Sequence, residues 1–381
     1  MRKPLGLSEI KPLSFIKYFH NNVKKSLVIM LALILSIFMI IIFQMVMFAV
    51  NEPARIADVE VSNYATKIFE GKSGKIDAGV IKQMQENEKV ERFIPTSEQD
   101  MDYNHLFGTC NISVFSIRES DIKYVLEKLG LKLREGRMPV VGKNEILLDW
   151  RLANNKNKKI GNFIGKEINL QEKLTGKYKI VGILEGKSII GVIPTWESQE
   201  LSMNKLLVFP KEGQLEKINE EFSKVTAEKA YFWTKEKAED NYTKNEKSLK
   251  DMFGIMSIAV ILVMSFASGN SSYAQYFSRR NEFALLQSIG YTRGQILLRA
   301  AKEIALLNLV GLAAGVTLGF VAGLILDRTF FIPNGYPFVL MQSNGMIEAL
   351  TIPLCTALFG LIPAGWLLST IDPMTVVEKS E

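Results

Sequence analysis

Histidine and cysteine are scarce: the 381 residues hold two of each, His20 and His105, Cys110 and Cys355. Neither histidine sits in a metal-binding spacing such as H-E-x-x-H, so a metal-dependent hydrolase has no ligand set. His105 and Cys110 are the one imaginable nucleophile–base pair, and no third group completes a catalytic constellation. Cys110 falls in a polar segment and Cys355 in an apolar one, so no internal disulfide is expected. A phosphate loop is missing as well. Residues 182–188, GILEGKS, imitate one, with three residues between the glycines where the motif has four. Charge is absent from four long runs, residues 26–51, 252–278, 304–326 and 349–371. Each is long enough to cross a hydrocarbon core of roughly 30 Å, which takes about 20 helical residues. Such runs exclude a soluble enzyme, a collagen-like chain and a disordered one. With no Asp, Glu, Lys, Arg or His inside them, a proton relay through the membrane has no candidates.

What is present is a hydrophilic insert over 52–250, the size of an ordinary domain, and a charge distribution that assigns sides. The chain carries +6. Residues 1–25, 279–303 and 372–381 together hold 12 basic and 6 acidic residues, which is the entire excess. Lys and Arg near span ends stay cytoplasmic during insertion. Both termini and the 279–303 connector are therefore expected inside, with the 52–250 domain and the 327–348 loop outside. The first apolar run is about twice as long as a signal-peptide core, and no small-x-small cleavage site follows it, so it reads as an uncleaved anchor. The fold class is an α-helical membrane protein with four transmembrane helices and one large mixed α/β extracytoplasmic domain between helices 1 and 2.

Local patterns add detail. Within 1–25, Phe15, Ile16 and Phe19 share one helical face while Lys24 lies off it, the pattern of a basic helix in the headgroup plane. Membrane lipid is its expected partner, with a direct protein contact as the competing reading. Residues 112–117, 145–148, 177–184 and 206–209 read as strands. Helical spacing marks 121–129, with Asp121 as N-cap, and 214–222. Residues 234–250 are charged and run without Pro or Gly into the second span, which predicts one continuous helical stalk. Gly311, Gly315, Gly319 and Gly323 form a four-residue repeat on one face of the third span, the mark of close helix packing. The repeat leaves open whether span three meets an intramolecular neighbour or a second subunit. Pro353 and Pro363 lie in the fourth span as candidate hinges.

The connector reads R-R-N-E-F-A-L-L-Q-S-I-G-Y-T-R-G-Q-I-L over 279–297. Phe283, Leu286 and Ile289 are spaced to share one face of a short helix that Gly290 ends, with a second helix following. This segment resembles the cytoplasmic signature of the MacB/FtsX-type ABC transporter permeases, the type VII or mechanotransmission group. The similarity extends to the single long outer domain, to 133–139, 144–148 and 176–183 within it, and to Asp372-Pro373-Met374 after the last span. The resemblance implies a non-enzymatic permease in a bacterial cell membrane, with ATP and Mg bound on a separate cytoplasmic ABC ATPase dimer and no cofactor on this chain. It places Glu282, Phe283, Leu286 and Gly290 in a coupling helix that enters the ATPase, with Arg279 and Arg280 flanking it at the headgroups. It also implies a second permease, identical or homologous, and allows an adaptor or another extracytoplasmic protein as a further partner. The function implied is export or extraction of an amphiphilic peptide, lipoprotein or drug. The alternative is signal transmission to a cell-wall hydrolase or a sensor without transport. Nucleic acid is not an expected partner.

Overall fold

In this computed structural model, residues 23–72, 74–196, 205–223, 225, 228–337 and 343–370 are described. The expected surface helix with Phe15, Ile16 and Phe19, the side chain of Lys24, and the tail from 371 lie outside them. The chain divides into two compact units. One comprises Met1–Met45, Asp251–Ile325 and Leu340–Glu381, the other Val46–Lys250 and Leu326–Val339.

The second, polar unit contains two sheets. In the smaller, β1 (Thr66–Glu70), β2 (Val90–Pro95), β10 (Lys205–Pro210) and β11 (Ala230–Trp233) run antiparallel in the order β11-β1-β10-β2. The larger has the order β3-β4-β9-β6-β8-β5. Its strands are β3 (Ser97–His105), β4 (Gly108–Arg118), β5 (Leu131–Gly136), β6 (Glu145–Asp149), β8 (Tyr178–Gly186) and β9 (Gly191–Thr195), and the short β7 (Phe163–Ile164) also pairs with β8. It is mixed, since β4 pairs β9 and β6 pairs β8 in parallel.

Strand β10 explains how the sheets share a core. Leu206 and Val208 belong to one cluster with Val80 and Met84 of α2 (Ala78–Gln85) and Ile218 and Phe222 of α5 (Leu215–Ser223). Leu207 and Phe209 belong to the other, with Phe115 and Ile117 of β4 and Ile122, Val125 and Leu126 of α3 (Glu119–Lys128). Alternate side chains on a strand point to opposite faces, so a strand buried on both reads as an unbroken apolar run. That is why 206–209 lacks polar alternation.

The strands expected at 112–117, 145–148 and 206–209 lie within observed ones, and that at 177–184 lies within β8 but for its first residue. One helix start differs. Asp121 is not the N-cap of α3, whose capping position is Arg118; it sits buried in the first turn, 2.6 Å from Arg92. A carboxylate there is favoured by the helix dipole and satisfied by the arginine, so the expected cap lies three residues past the observed one. Residues 182–186 of the imitation phosphate loop lie in β8, with Ser188 buried just beyond it.

The connection after the third apolar helix completes this unit. Gly335 adopts φ 82°, and a Cβ there would lie 2.0 Å from the Arg151 carbonyl. The Tyr103 hydroxyl donates to the Gly335 carbonyl at 2.9 Å, and the amides of Asn154 and Asn155, at the end of α4 (Trp150–Asn155), donate to the carbonyls of Ile332 and Asn334. Phe331, Tyr336 and Tyr103 pack edge to face.

The membrane unit is built from four helices of span length and composition. They are α1 (Val23–Arg55), α6 (Lys235–Ser278), α8 (Arg293–Leu326) and α9 (Ser343–Thr370). The first, second and third continue past the unit boundary. The glycine repeat decides its own question: Cβ atoms on Gly311, Gly315, Gly319 and Gly323 would lie 2.5–3.0 Å from Leu33, Ile37, Ile41 and Met45 of α1. Lipid tails are as apolar as leucine, so helices associate by close packing, and a glycine stripe permits it. The stripe is an intramolecular seam. Asn308 of α8 and Thr356 of α9 share a buried 2.8 Å hydrogen bond, and Gly269 of α6 meets the backbone of Phe359 on α9. Pro353 and Pro363 lie inside α9, which continues through both, and the Thr356 hydroxyl reaches the Pro353 carbonyl.

Two consequences are measurable. Gly315→Leu forces a side chain into Ile37, at a cost of about 1–3 kcal/mol for overpacking, and lowers the unfolding temperature in detergent. Gly254→Ala, where nothing lies within 4 Å, leaves it unchanged. Gly335→Ala expels its loop from α4, so protease cleavage near 330–337 becomes faster, while Gly213→Ala, at an open turn, produces no such change in that loop.

Candidate coupling surface

Between α6 and α8 lies α7 (Arg280–Ser288), and its ends are set by side chains and backbone that can be named. Gly290 has φ 105° with no neighbour near a would-be Cβ, so its glycine serves conformation, not space. The Tyr291 amide donates to the Leu286 carbonyl and the Gly290 amide to Gln287, the paired bonds of a Schellman C-cap. The next helix opens on a reciprocal box: the Thr292 amide donates to Gln295 Oε1, and the Gln295 amide donates to Thr292 Oγ1. The expected helix–Gly–helix is present.

Its inner face is apolar. Phe283, Ala284 and Leu286 are buried in a cluster with Tyr276, Ile296, Ala300, Ile304 and Leu367. Ile289 does not join them; it sits at the helix end, 67% exposed, and Leu285 is 57% exposed. Phe283 and Leu286, named from the resemblance for ATPase contact, thus hold α7 against the bundle. The outward surface consists of Asn281, Leu285, Ser288 and Ile289.

Four charged groups meet beneath α7. Arg279 Nη1 lies 2.8 Å from Glu303 and Nε lies 2.9 Å from Glu282; Arg299 lies 3.0 Å from Glu282 and 3.2 Å from Glu303. Arg279, Arg299 and Glu303 are buried, and Glu282 alone is partly open to solvent. Burial opposes charge on Arg279, yet the hydrogen bonds from Glu282 and Glu303 prevail and hold the guanidinium above its ordinary value. Burial also works against Glu282, and the Arg279 hydrogen bond outweighs it and lowers the carboxyl. Arg279, expected to flank the helix at the headgroups, is buried as the central member of a charge-balanced cluster linking the end of α6, α7 and the start of α8. Arg280 is exposed, its guanidinium 4.4 Å from the Phe277 ring. The sequence signal for this cluster was the i,i+4 pair Arg299 and Glu303 at the head of an apolar run, where an unpaired charge would be costly.

Elsewhere, His105 lies over Gly108 at a hairpin end, while Cys110 pairs in register with Tyr103. Burial pushes the Cys110 thiol up to about 12, which keeps it protonated and unreactive at neutral pH. Among the described residues no group of His, Cys, Asp and Glu is placed to hold a metal ion.

The chain thus combines four membrane-length helices, a large mixed α/β unit inserted after the first, and a capped amphipathic connector between the second and third. Residues 254–373 match the family model described as FtsX-like permease C-terminal. No curated protein matches the chain. Among solved structures, the periplasmic region of MacB from Actinobacillus actinomycetemcomitans is 11% identical, covering 49% of this chain and 94% of that one, with a TM-score of 0.28. The extracellular domain of the noncanonic ABC-type transporter YknZ from Gram-positive bacteria is 12% identical, covering 44% and 98%, with a TM-score of 0.26.

Glu303→Gln leaves two buried guanidinium groups with one full carboxylate; breaking such a pair costs about 3–5 kcal/mol. The expected result is a lower unfolding temperature for the purified chain, and Arg280→Gln, which breaks no ion pair of the cluster, shows no such loss.

Proposed function

We propose that this chain is the non-enzymatic membrane subunit through which a separate cytoplasmic ABC ATPase, binding ATP and Mg, drives movement of the polar unit to export or extract an amphiphilic peptide, lipoprotein or drug. The observation that carries this reading is α6. It runs unbroken for 44 residues from Lys235, next to strand β11, to Ser278, and the next residue is Arg279 of the ion cluster that seats α7. A helix of that length transmits displacement with little loss, because each backbone bond is made within the element. Movement of α7 under an ATPase is then felt at the stalk. The uncharged spans support action outside the bilayer without passage through it.

The docking face in this reading is Asn281, Leu285 and Ile289, with Phe283 and Leu286 as its support. The basic excess of 1–25, 279–303 and 372–381 supports a cytoplasmic position for the connector and both termini. A second permease completes the assembly. Since the glycine stripe is occupied by α1, its contact falls on other surfaces, and the exposed apolar flank of α6 through Ile255, Ile258 and Val263 offers one.

Co-purification of the tagged chain identifies the ATPase and tests the docking face. Leu285→Asp with Ile289→Asp is expected to cut stimulation of ATP hydrolysis by the permease tenfold or more, with membrane insertion and unfolding temperature unchanged. Stimulation at the unmodified level sinks the docking assignment. Labelling of single cysteines at exposed positions in 52–250 from outside intact cells, with none at 279–303, is expected for this orientation; the reverse pattern overturns it.

A further inference from the structure

The chain from the end of α4 into the start of β8, residues 156–179, holds seven lysines against two glutamates, whereas the rest of 52–250 holds 26 basic and 29 acidic residues. Two of those lysines are used internally: Lys156 lies 3.7 Å from Glu172, and Lys173 2.8 Å from Asp102. Among the described residues, Lys158, Lys159, Lys166, Lys177 and Lys179 lie at ion-pair distance from no carboxylate, and Glu167 is the one acid left beside them. The basic character of the polar unit is thus gathered into a single excursion.

The excursion is built, not loose. Ile164 and Leu174 are buried and anchor it. The Lys166 amide donates to the Leu174 carbonyl at 2.7 Å, and the Thr175 amide donates to Gln99 Oε1 at 2.9 Å. Its tip is a closed turn: the amides of Ile168 and Asn169 both donate to the Gly165 carbonyl, and Asn169 Oδ1 accepts from the Gln171 amide. That turn holds Leu170 out at 84% exposure, the most exposed of the large apolar side chains described, with Ile168 beside it. In the strand pair below, Phe163 faces Lys179 while the ammonium of Lys177 lies 4.7 Å from its ring centroid. Facing positions in a strand pair share a side, and the buried Ile164 takes the other.

An exposed aliphatic tip on a segment rich in unpaired lysines, whose stems are apolar and whose heads are charged, matches an interface between hydrocarbon and phosphate. We propose that the 156–179 excursion docks on a lipid surface with anionic headgroups, Ile168 and Leu170 entering among the acyl chains and the free lysines meeting the phosphates. A lone projecting leucine suits a fluid apolar phase better than a shaped pocket on a folded partner. Lysines, as compact point charges, suit headgroup phosphates that present no fixed geometry. This inference does not depend on the ATPase reading.

The test uses the full chain in micelles of an uncharged maltoside, doped with photoactivatable phosphatidylglycerol or phosphatidylcholine, with adducts mapped by mass spectrometry. Adducts on 156–179 are expected at least tenfold more often from phosphatidylglycerol, and adducts on the spans serve as the internal reference. Each lysine near an anionic surface strengthens attraction roughly fivefold, so Lys159→Glu, Lys166→Glu and Lys179→Glu together should remove the preference. Leu170→Ser should reduce phosphatidylglycerol adducts several-fold without touching a charge, which separates a lipid from a free phosphate. All four side chains are exposed, and an unchanged unfolding temperature confirms that the variants fold. Equal labelling by the two lipids, or a preference that survives charge reversal, overturns the proposal. So does an acidic peptide that occupies the excursion and that tenfold excess phosphatidylglycerol does not displace, which would assign the surface to a protein partner.

Discussion

A buried charge must find an opposite charge, and in this chain that requirement fixes the joint between α6, α7 and α8. Arg279 follows the last residue of α6, Glu282 lies in the first turn of α7, and Arg299 and Glu303 occupy the second and third turns of α8. None can leave the cluster without stranding another in a low-dielectric setting, where removing one partner of a buried pair costs far more than the pair itself contributes. Three helices are therefore held to one another by four side chains of zero net charge. The apolar packing of Phe283 and Leu286 then sets the roll of α7, and the Gly290 cap and the Thr292–Gln295 box set where each helix stops and starts. The surface left outward, Leu285 and Ile289, is a product of these constraints.

The same division between fixing and presenting recurs in the polar unit. Strand β10 is buried on both faces and joins the two clusters, so the sheets share one core. Elements at the margin of that core carry the exposed features: the 156–179 excursion hangs from β8 by Ile164 and Leu174, and the loop after α8 is pinned to α4 by asparagine amides. In each case a few buried apolar residues or satisfied carbonyls hold a segment whose other side faces water.

How much of this was legible in the sequence depended on the range of the interaction. The four spans were plain, because uninterrupted apolar runs report the solvent directly, and so was the stalk continuing into the second span. Gly290 was legible because a helix end is a local event. The partner of Gly311 through Gly323 was not, since a small-residue stripe says that something approaches closely but not what does. Phe283 and Leu286 share one face, as their spacing predicts, and that face packs on the bundle, while Ile289 drops out of it because the helix stops one residue short. The cluster around Arg279 was hidden for a similar reason: its two carboxylate partners are 3 and 24 residues away, and only the first is visible as a local pair. Strands β2 and β3 escaped notice because they lie at the edges of their sheets and carry charged residues there; β1, β5, β7, β9 and β11 were not legible either.

One detail of the polar unit has a bearing on how it can be divided. The Tyr103 side chain is fully buried, and its hydroxyl has the Gly335 carbonyl as acceptor, a group separated from it by 232 positions and by the second and third apolar helices. The unit is therefore discontinuous in the chain. A soluble fragment ending at residue 250 would keep both sheets but lose this acceptor along with the Phe331 and Tyr336 rings, leaving a buried hydroxyl short of a bond worth about 1–3 kcal/mol when vacated. The corner formed by β3 and α4 in such a fragment would be a newly exposed apolar surface, and stickiness observed there would belong to the cut and not to the protein.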